Sequence, residues 1–317
     1  MDSKITKKRL YDFLQYEWLK IIGTIAAAIF ILYVVFTTLG GEMKKLDAGG
    51  RYYLNYAYGL DDCSSEMSPL VSSALSYGVD YTSVYRFTSD GYSEEQLNAY
   101  SKTGELDAVI FDDVALSEDE KYKEVTRFAY AVDKYNIWDF ESLYNSAKTY
   151  AESFLKEEAT ELKEENISDE AIEKSFERRL KRNGKYKSAK KRAEGLSLEK
   201  QRIIKLFSSV NDLERLLTEH REIFREYRKY TALYALGDVS KEDYEKETPK
   251  LYGVDLSKLT VSEGKTSIDR YSKLPGKTTA EGTALTIFDM SYFQQEDEYE
   301  SLNVLSALVR KTTDFLD

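Results

Sequence analysis

From Lys20 to Glu42 the chain carries no charge between those two residues, and Ile21 to Leu39 reads IIGTIAAAIFILYVVFTTL. A 19-residue apolar run of this kind is long enough as a helix to cross a hydrocarbon layer of about 30 Å at 1.5 Å per residue. Lys4, Lys7, Lys8, Arg9 and Lys20 precede it, and the mixed set Glu42, Lys44, Lys45 and Asp47 lies beyond it. That bias predicts a cytoplasmic tail over residues 1–20, a transmembrane helix over 21–41, and a C-terminal part on the far side of a bacterial plasma membrane. Tyr16 and Trp18 stand where interfacial aromatics are usual. A cleaved signal peptide is the competing reading; its apolar core is shorter and ends at a small-residue cleavage site, which Phe36-Thr37-Thr38-Leu39 does not provide.

Composition narrows the chemistry. One Cys excludes an internal disulfide, and one His excludes a multi-histidine metal centre. With 45 Lys and Arg against 56 Asp and Glu, the net charge of −11 argues against a nucleic-acid surface. A hydrophobic content of 42% is too rich for a disordered chain.

Beyond a linker over residues 42–50, strand and helix patterns alternate. The Tyr-rich stretch Arg51 to Gly59 reads as a strand, Ser64 to Tyr77 as a helix and Tyr81 to Phe87 as a second strand. Ser93 and Gln96 have capping-box spacing at a helix start, and Leu106 to Phe111 is a short buried-strand run. Such alternation implies a mixed or parallel sheet with crossover helices. After Asp113 the pattern turns helical. Phe140, Leu143, Tyr144, Ala147, Tyr150, Ala151, Phe154 and Leu155 mark one helix face. Ile203, Leu206, Val210, Leu213, Leu217, His220, Phe224, Tyr227, Thr231 and Tyr234 recur at steps of three and four, which predicts one heptad-bearing helix from Leu198 to Leu236. Ala284 to Met290 reads as a strand and Ser301 to Leu316 as a terminal amphipathic helix. The expected organisation is a discontinuous α/β domain over 51–116 and 247–317, interrupted by a helical hairpin or bundle over 117–246.

The stretch Ser93-Glu-Glu-Gln-Leu97, then Gly104-Glu105 and Leu106-Asp-Ala-Val-Ile-Phe-Asp-Asp113, resembles an element in the lobes of extracellular solute-binding proteins of the type 2 periplasmic-binding fold. Tyr252-Gly-Val-Asp-Leu-Ser257 and the ending Asp314-Phe315-Leu316 are similar to segments of the same family. The resemblance implies one periplasmic-binding-like lobe, a solute or protein ligand, and an ABC-type transporter as partner. The usual lipidated Cys anchor and second α/β lobe have no counterpart here.

Candidate site residues are suggested by position. Asp61, Asp62, Asp112 and Asp113 fall at predicted strand ends, where ligands gather in α/β sheets. Tyr56 and Tyr58 are candidates for stacking against a ligand, though tyrosines in a strand more often pack its faces. His220 reads as a seam residue, and Cys63, behind Asp61 and Asp62, as a passive side chain whose thiolate the acids disfavour. Lys174 to Arg192 holds ten basic residues against Glu177 alone, so a local +9 leaves −20 on the rest. Within it, Lys181, Arg182, Lys185, Lys187, Lys190, Lys191 and Arg192 are candidates for an anionic polymer, headgroup or protein partner. The ordinary alternative is a solvated tip paired with the acids of 157–165. No catalytic constellation, metal site or cofactor is expected. The sequence therefore reads as a binding protein, with an envelope scaffold acting through its helical hairpin as the second reading.

Overall fold

The strand–helix alternation folds, in a computed structural model, as β1 (Arg51–Tyr58), α1 (Ser64–Ala74), β2 (Tyr81–Phe87), α2 (Gly91–Thr103) and β3 (Ala108–Asp112). The structure describes residues 51–58, 64–77, 81–87, 91–103, 106–116, 120–179, 186–259, 261–274, 276–289 and 298–317, with Ala28 alone before them. The chain divides into two units, Met1–Ala48 and Gly49–Asp317, and the sheet and its helices belong to the second.

The remaining elements are α3 (Arg127–Lys134), α4 (Phe140–Glu152), α5 (Asp169–Arg179), α6 (Ala189–Glu219), β4 (Phe224–Tyr227), α7 (Thr231–Leu236), α8 (Lys241–Lys246), β5 (Lys250–Asp255), β6 (Thr283–Ile287) and α9 (Ser301–Thr312). Six strands form one mixed sheet in the order β2-β1-β3-β6-β5-β4. β1 runs parallel to both β2 and β3, while β6 is antiparallel to β3 and β5, and β4 is antiparallel to β5.

Alternation along the strands splits the core between the two faces. In β3, Ala108 and Ile110 join a large cluster with residues of α1, α4, α6 and α9, whereas Val109 and Phe111 join a second with Leu97 of α2 and Phe128, Ala131 and Val132 of α3. The period of two in a strand requires this division. After β1 the chain crosses to β2 through α1 on one face, and after β3 it runs to α3 on the other, so the connections diverge at the carboxyl ends of β1 and β3. Such a divergence is the topological switch point at which α/β sheets hold ligands. Gly253 of β5 permits close approach of α3, because a Cβ there would lie 2.8 Å from the Phe128 ring.

Several expectations are corrected. Among the described residues no helix is long and apolar enough to cross a membrane. Of residues 21–41, on which the expected span rests, all but Ala28 lie outside the described residues. The transmembrane helix, the single-pass topology and the plasma-membrane location therefore find no support in the structure. The heptad helix from Leu198 to Leu236 is also not formed. α6 stops at Glu219, with His220 as its C-cap, and Phe224 to Tyr227 pair with β5 as an edge strand. An aromatic segment spaced at threes and fours satisfies a strand as well as a helix, and the open edge of β5 decides the outcome. No free-standing coiled coil results: Ile203, Leu206, Val210 and Leu213 are buried in the core shared with the sheet. The terminal helix α9 packs against both α1 and α6 and is buried on nearly all sides, so it is not the amphipathic helix its sequence suggests.

Candidate functional site

β3 delivers Asp112 and Asp113 to the carboxyl edge of the sheet, next to the switch point. Beyond them the chain folds back on itself. Ala115 bridges Thr126, the Arg127 N–H donates to the Val114 carbonyl at 3.0 Å, and Thr126 caps α3 through its side chain. This return places Arg127, the first residue of α3, against Asp112. Arg127 Nη1 bonds Asp112 Oδ2, while Asp112 Oδ1 is buried with no hydrogen-bond partner among the described residues. The Asp112 side chain is 1% exposed. Burial pushes its carboxyl up to about 6, although the charge and hydrogen bond of Arg127 pull the other way; the neighbouring Asp113 adds to the rise.

Arg225 completes the edge from the opposite side. Its Nη1 lies 3.1 Å from Asp113 Oδ2 and its Nε 3.5 Å from Asp255 Oδ2. Its Nη2 donates to the Thr283 carbonyl at 3.4 Å, and the guanidinium lies over the Phe128 ring at 5.1 Å. One arginine of β4 thus ties together the ends of β3, β5 and β6. Five ionisable side chains, Asp112, Asp113, Asp255, Arg127 and Arg225, share this edge.

The structure brings together only part of the expected set. Asp112 and Asp113 are at the edge. Tyr56 and Tyr58 are in β1, with Tyr58 paired to Phe87 on one side and Phe111 on the other. Asp61 and Asp62, like Cys63, lie outside the described residues. Sequence spacing does not point to Arg127, Arg225 or Asp255. Asp255 carries the same signal as Asp112, an acid closing an apolar strand. Arg225 is hidden because its segment reads as helix.

The basic segment is partly neutralised within the chain. Arg192 bonds Glu173 and Glu177 and lies over the Phe176 ring, and Lys191 pairs with Glu194 at 2.7 Å. Lys187 and Lys190 are exposed and have no ion pair among the described residues. Lys181, Arg182 and Lys185 lie outside those residues. Arg179 is not at the surface at all: it belongs to a buried network with Glu199, Arg202 and Glu300. Within this network Glu199 also accepts from Ser175 at 2.6 Å. Burial works against the Glu199 charge, but Arg202 and Arg179 outweigh it and hold the carboxyl at about 2. A groove of about 410 Å³ lies between α5 and α6, lined by Asp169, Ile172, Glu173, Leu196, Ser197 and Lys200. Two of its charges are already engaged, Glu173 by Arg192 and Lys200 by Glu164 at 3.1 Å, and it is separate from the sheet edge.

His220, at the end of α6, stacks on Phe315 with ring centroids 4.3 Å apart. Among the described residues no group of three His, Cys, Asp or Glu side chains is placed to hold a metal ion. Comparison of the chain with protein families, with curated proteins and with solved structures gives no match.

Proposed function

We propose that the chain is a non-enzymatic binding protein that recognises a small polar solute, without covalent chemistry, at the carboxyl edge of its sheet. The observation that carries this reading is Asp112 Oδ1, an acceptor buried without a partner among the described residues, next to the switch point. Leaving such an atom unsatisfied costs about 1–3 kcal/mol, and a bound ligand is one way in which a buried group of this kind is satisfied. The side chains around it are carboxylates clamped by guanidiniums, which suits recognition better than nucleophilic attack. The resemblance to solute-binding proteins points the same way, and a transporter permease is the partner such a protein would serve.

The scaffold reading draws less support. The apolar positions of α6 that would have formed an intermolecular seam are buried against this chain's own core. Light scattering across a concentration series should therefore show a monomer, and a concentration-dependent dimer would restore the scaffold reading. For the binding reading, the purified protein is screened by thermal shift against sugars, amino acids and short peptides. One class should raise Tm in a concentration-dependent way, and the rise should be lost in Asp112→Asn. A flat response to all three classes counts against the proposal.

A further inference from the structure

Among the described residues the edge is negatively biased. Three carboxylates, Asp112, Asp113 and Asp255, face two guanidiniums, Arg127 and Arg225. Arg225 is committed to Asp113, Asp255 and the Thr283 carbonyl, and Arg127 occupies only one oxygen of Asp112. Among the described residues no donor reaches Asp112 Oδ1. Asp113 and Val114, the next two residues along the chain, are 36% and 42% exposed, and Val114 offers apolar surface to an aliphatic stem.

We infer that this edge takes an organic cation, a ligand presenting a primary ammonium or guanidinium group on an aliphatic stem, with Asp112 and Asp113 as its acceptors. The inference rests on the binding reading above and adds the ligand class to it. A metal ion fits less well. Arg225 stands between Asp113 and Asp255, so the three acids do not converge on one point as metal ligands must. An ammonium or guanidinium needs only one or two acceptors and supplies the missing donor as a charge-assisted hydrogen bond. Because Oδ1 is shielded from solvent, the incoming group reaches it only through a local opening of the edge.

The experiment is calorimetric titration of the full chain with putrescine and L-arginine as cationic probes, and with glucose and succinate as neutral and anionic ones. A saturable response to a cationic probe is expected, weakened at least tenfold in Asp113→Asn and abolished in Asp112→Asn. Asp113→Asn keeps the test valid should Asp112→Asn fail to fold. Asp238→Asn, in the exposed turn after α7, should bind as the parent does; equal loss there shows unspecific attraction to an acidic chain and overturns the inference. Binding of glucose or succinate in place of the cations overturns the ligand class and leaves the binding reading standing. No heat with any probe, together with a flat thermal-shift screen, removes both.

Discussion

Arg202 donates to Glu199 Oε1 through Nε at 3.0 Å and through Nη2 at 2.7 Å, and both side chains are buried. Arg179 and Glu300 bring the set to two charges of each sign, joining α5, α6 and the turn before α9. A balanced buried set tolerates its own desolvation only while every member is present. Glu199→Gln should therefore cost about 3–5 kcal/mol in urea unfolding, because two buried guanidiniums then share one carboxylate. The pH dependence carries the same signature. Glu199 is held at about 2 against an ordinary 4.5, so its contribution is complete above pH 4.5 and disappears as pH falls toward 2. A variant whose acid limb matches that of the parent would show that Glu199 is not the titrating group.

Asp112 predicts the opposite slope in a separate window. Burial raises its carboxyl from 3.8 to about 6, so the folded chain binds a proton more tightly than the unfolded one. Stability should then rise as pH is lowered from about 7 to about 4.5, by on the order of 2–3 kcal/mol. Asp133, also raised by burial, contributes in the same direction. Asp112→Asn should shrink the slope without removing it. Unfolding free energies at pH 7.5 and pH 5 decide the point, and an unchanged difference in the variant refutes the assignment.

The range of each interaction decides whether the sequence discloses it. β2 occupies Tyr81–Phe87, where local alternation alone points to it, and Asp112 is recognisable as an acid closing a buried strand. The partners of that acid are not local. Arg127 arrives through a loop that returns on itself, and Arg225 sits on a strand that its own spacing describes as helix; only the unpaired edge of β5 makes Phe224 to Tyr227 extended. The same holds for α9. Asn303 and Ser306 share a side of the helix that looks solvated, yet both are buried because α1 and α6 pack against α9, and Ser209 of α6 supplies the hydrogen bond that Asn303 needs, at 2.7 Å. Ten clustered basic residues look like one surface, but Arg179 turns inward to Glu199 and Glu300, which no spacing rule announces.

Gly195 tests the packing that anchors the start of α6. A Cβ at this position would fall on the ring of Phe176 and lie 2.9 Å from Cδ1 of Tyr186, and both neighbours are buried aromatic rings. Neither ring is a flexible chain end that can swing aside. Gly195→Ala should cost about 1–3 kcal/mol as an overpacked contact, despite the better helix propensity of alanine. Melting by circular dichroism reads this as a fall of several degrees in Tm. A rise in Tm would mean that propensity outweighs the clash and that α5 and α6 separate at little cost.

Asp133 of α3 holds the start of α7 from a distance in sequence. Its carboxylate accepts the backbone N–H groups of Tyr230, Ala232 and Leu233 at 2.5, 2.7 and 3.1 Å. These are the donors that a helix start leaves without internal partners, and the residue before α7 offers no side-chain cap of its own. That residue, Tyr230, has φ of +68°, a left-handed conformation uncommon for a non-glycine residue. Asp133→Ala strands the Tyr230 and Leu233 donors and leaves the Ala232 N–H only the Tyr227 hydroxyl, at 3.0 Å. It should cost about 1–3 kcal/mol, concentrated in α7. The small cluster of Val125, Ala232 and Leu236 is then held by the packing of Tyr122, Ala129 and Tyr130 against it. Asp133→Asn keeps one acceptor oxygen and should lose less. Hydrogen exchange resolves the effect: the Ala232 and Leu233 amides should exchange faster in Asp133→Ala, while those of β3 and β6 keep their protection. Uniform acceleration across the sheet would instead make Asp133 a support of the whole core, and unchanged rates at Ala232 and Leu233 would show that α7 holds its own start.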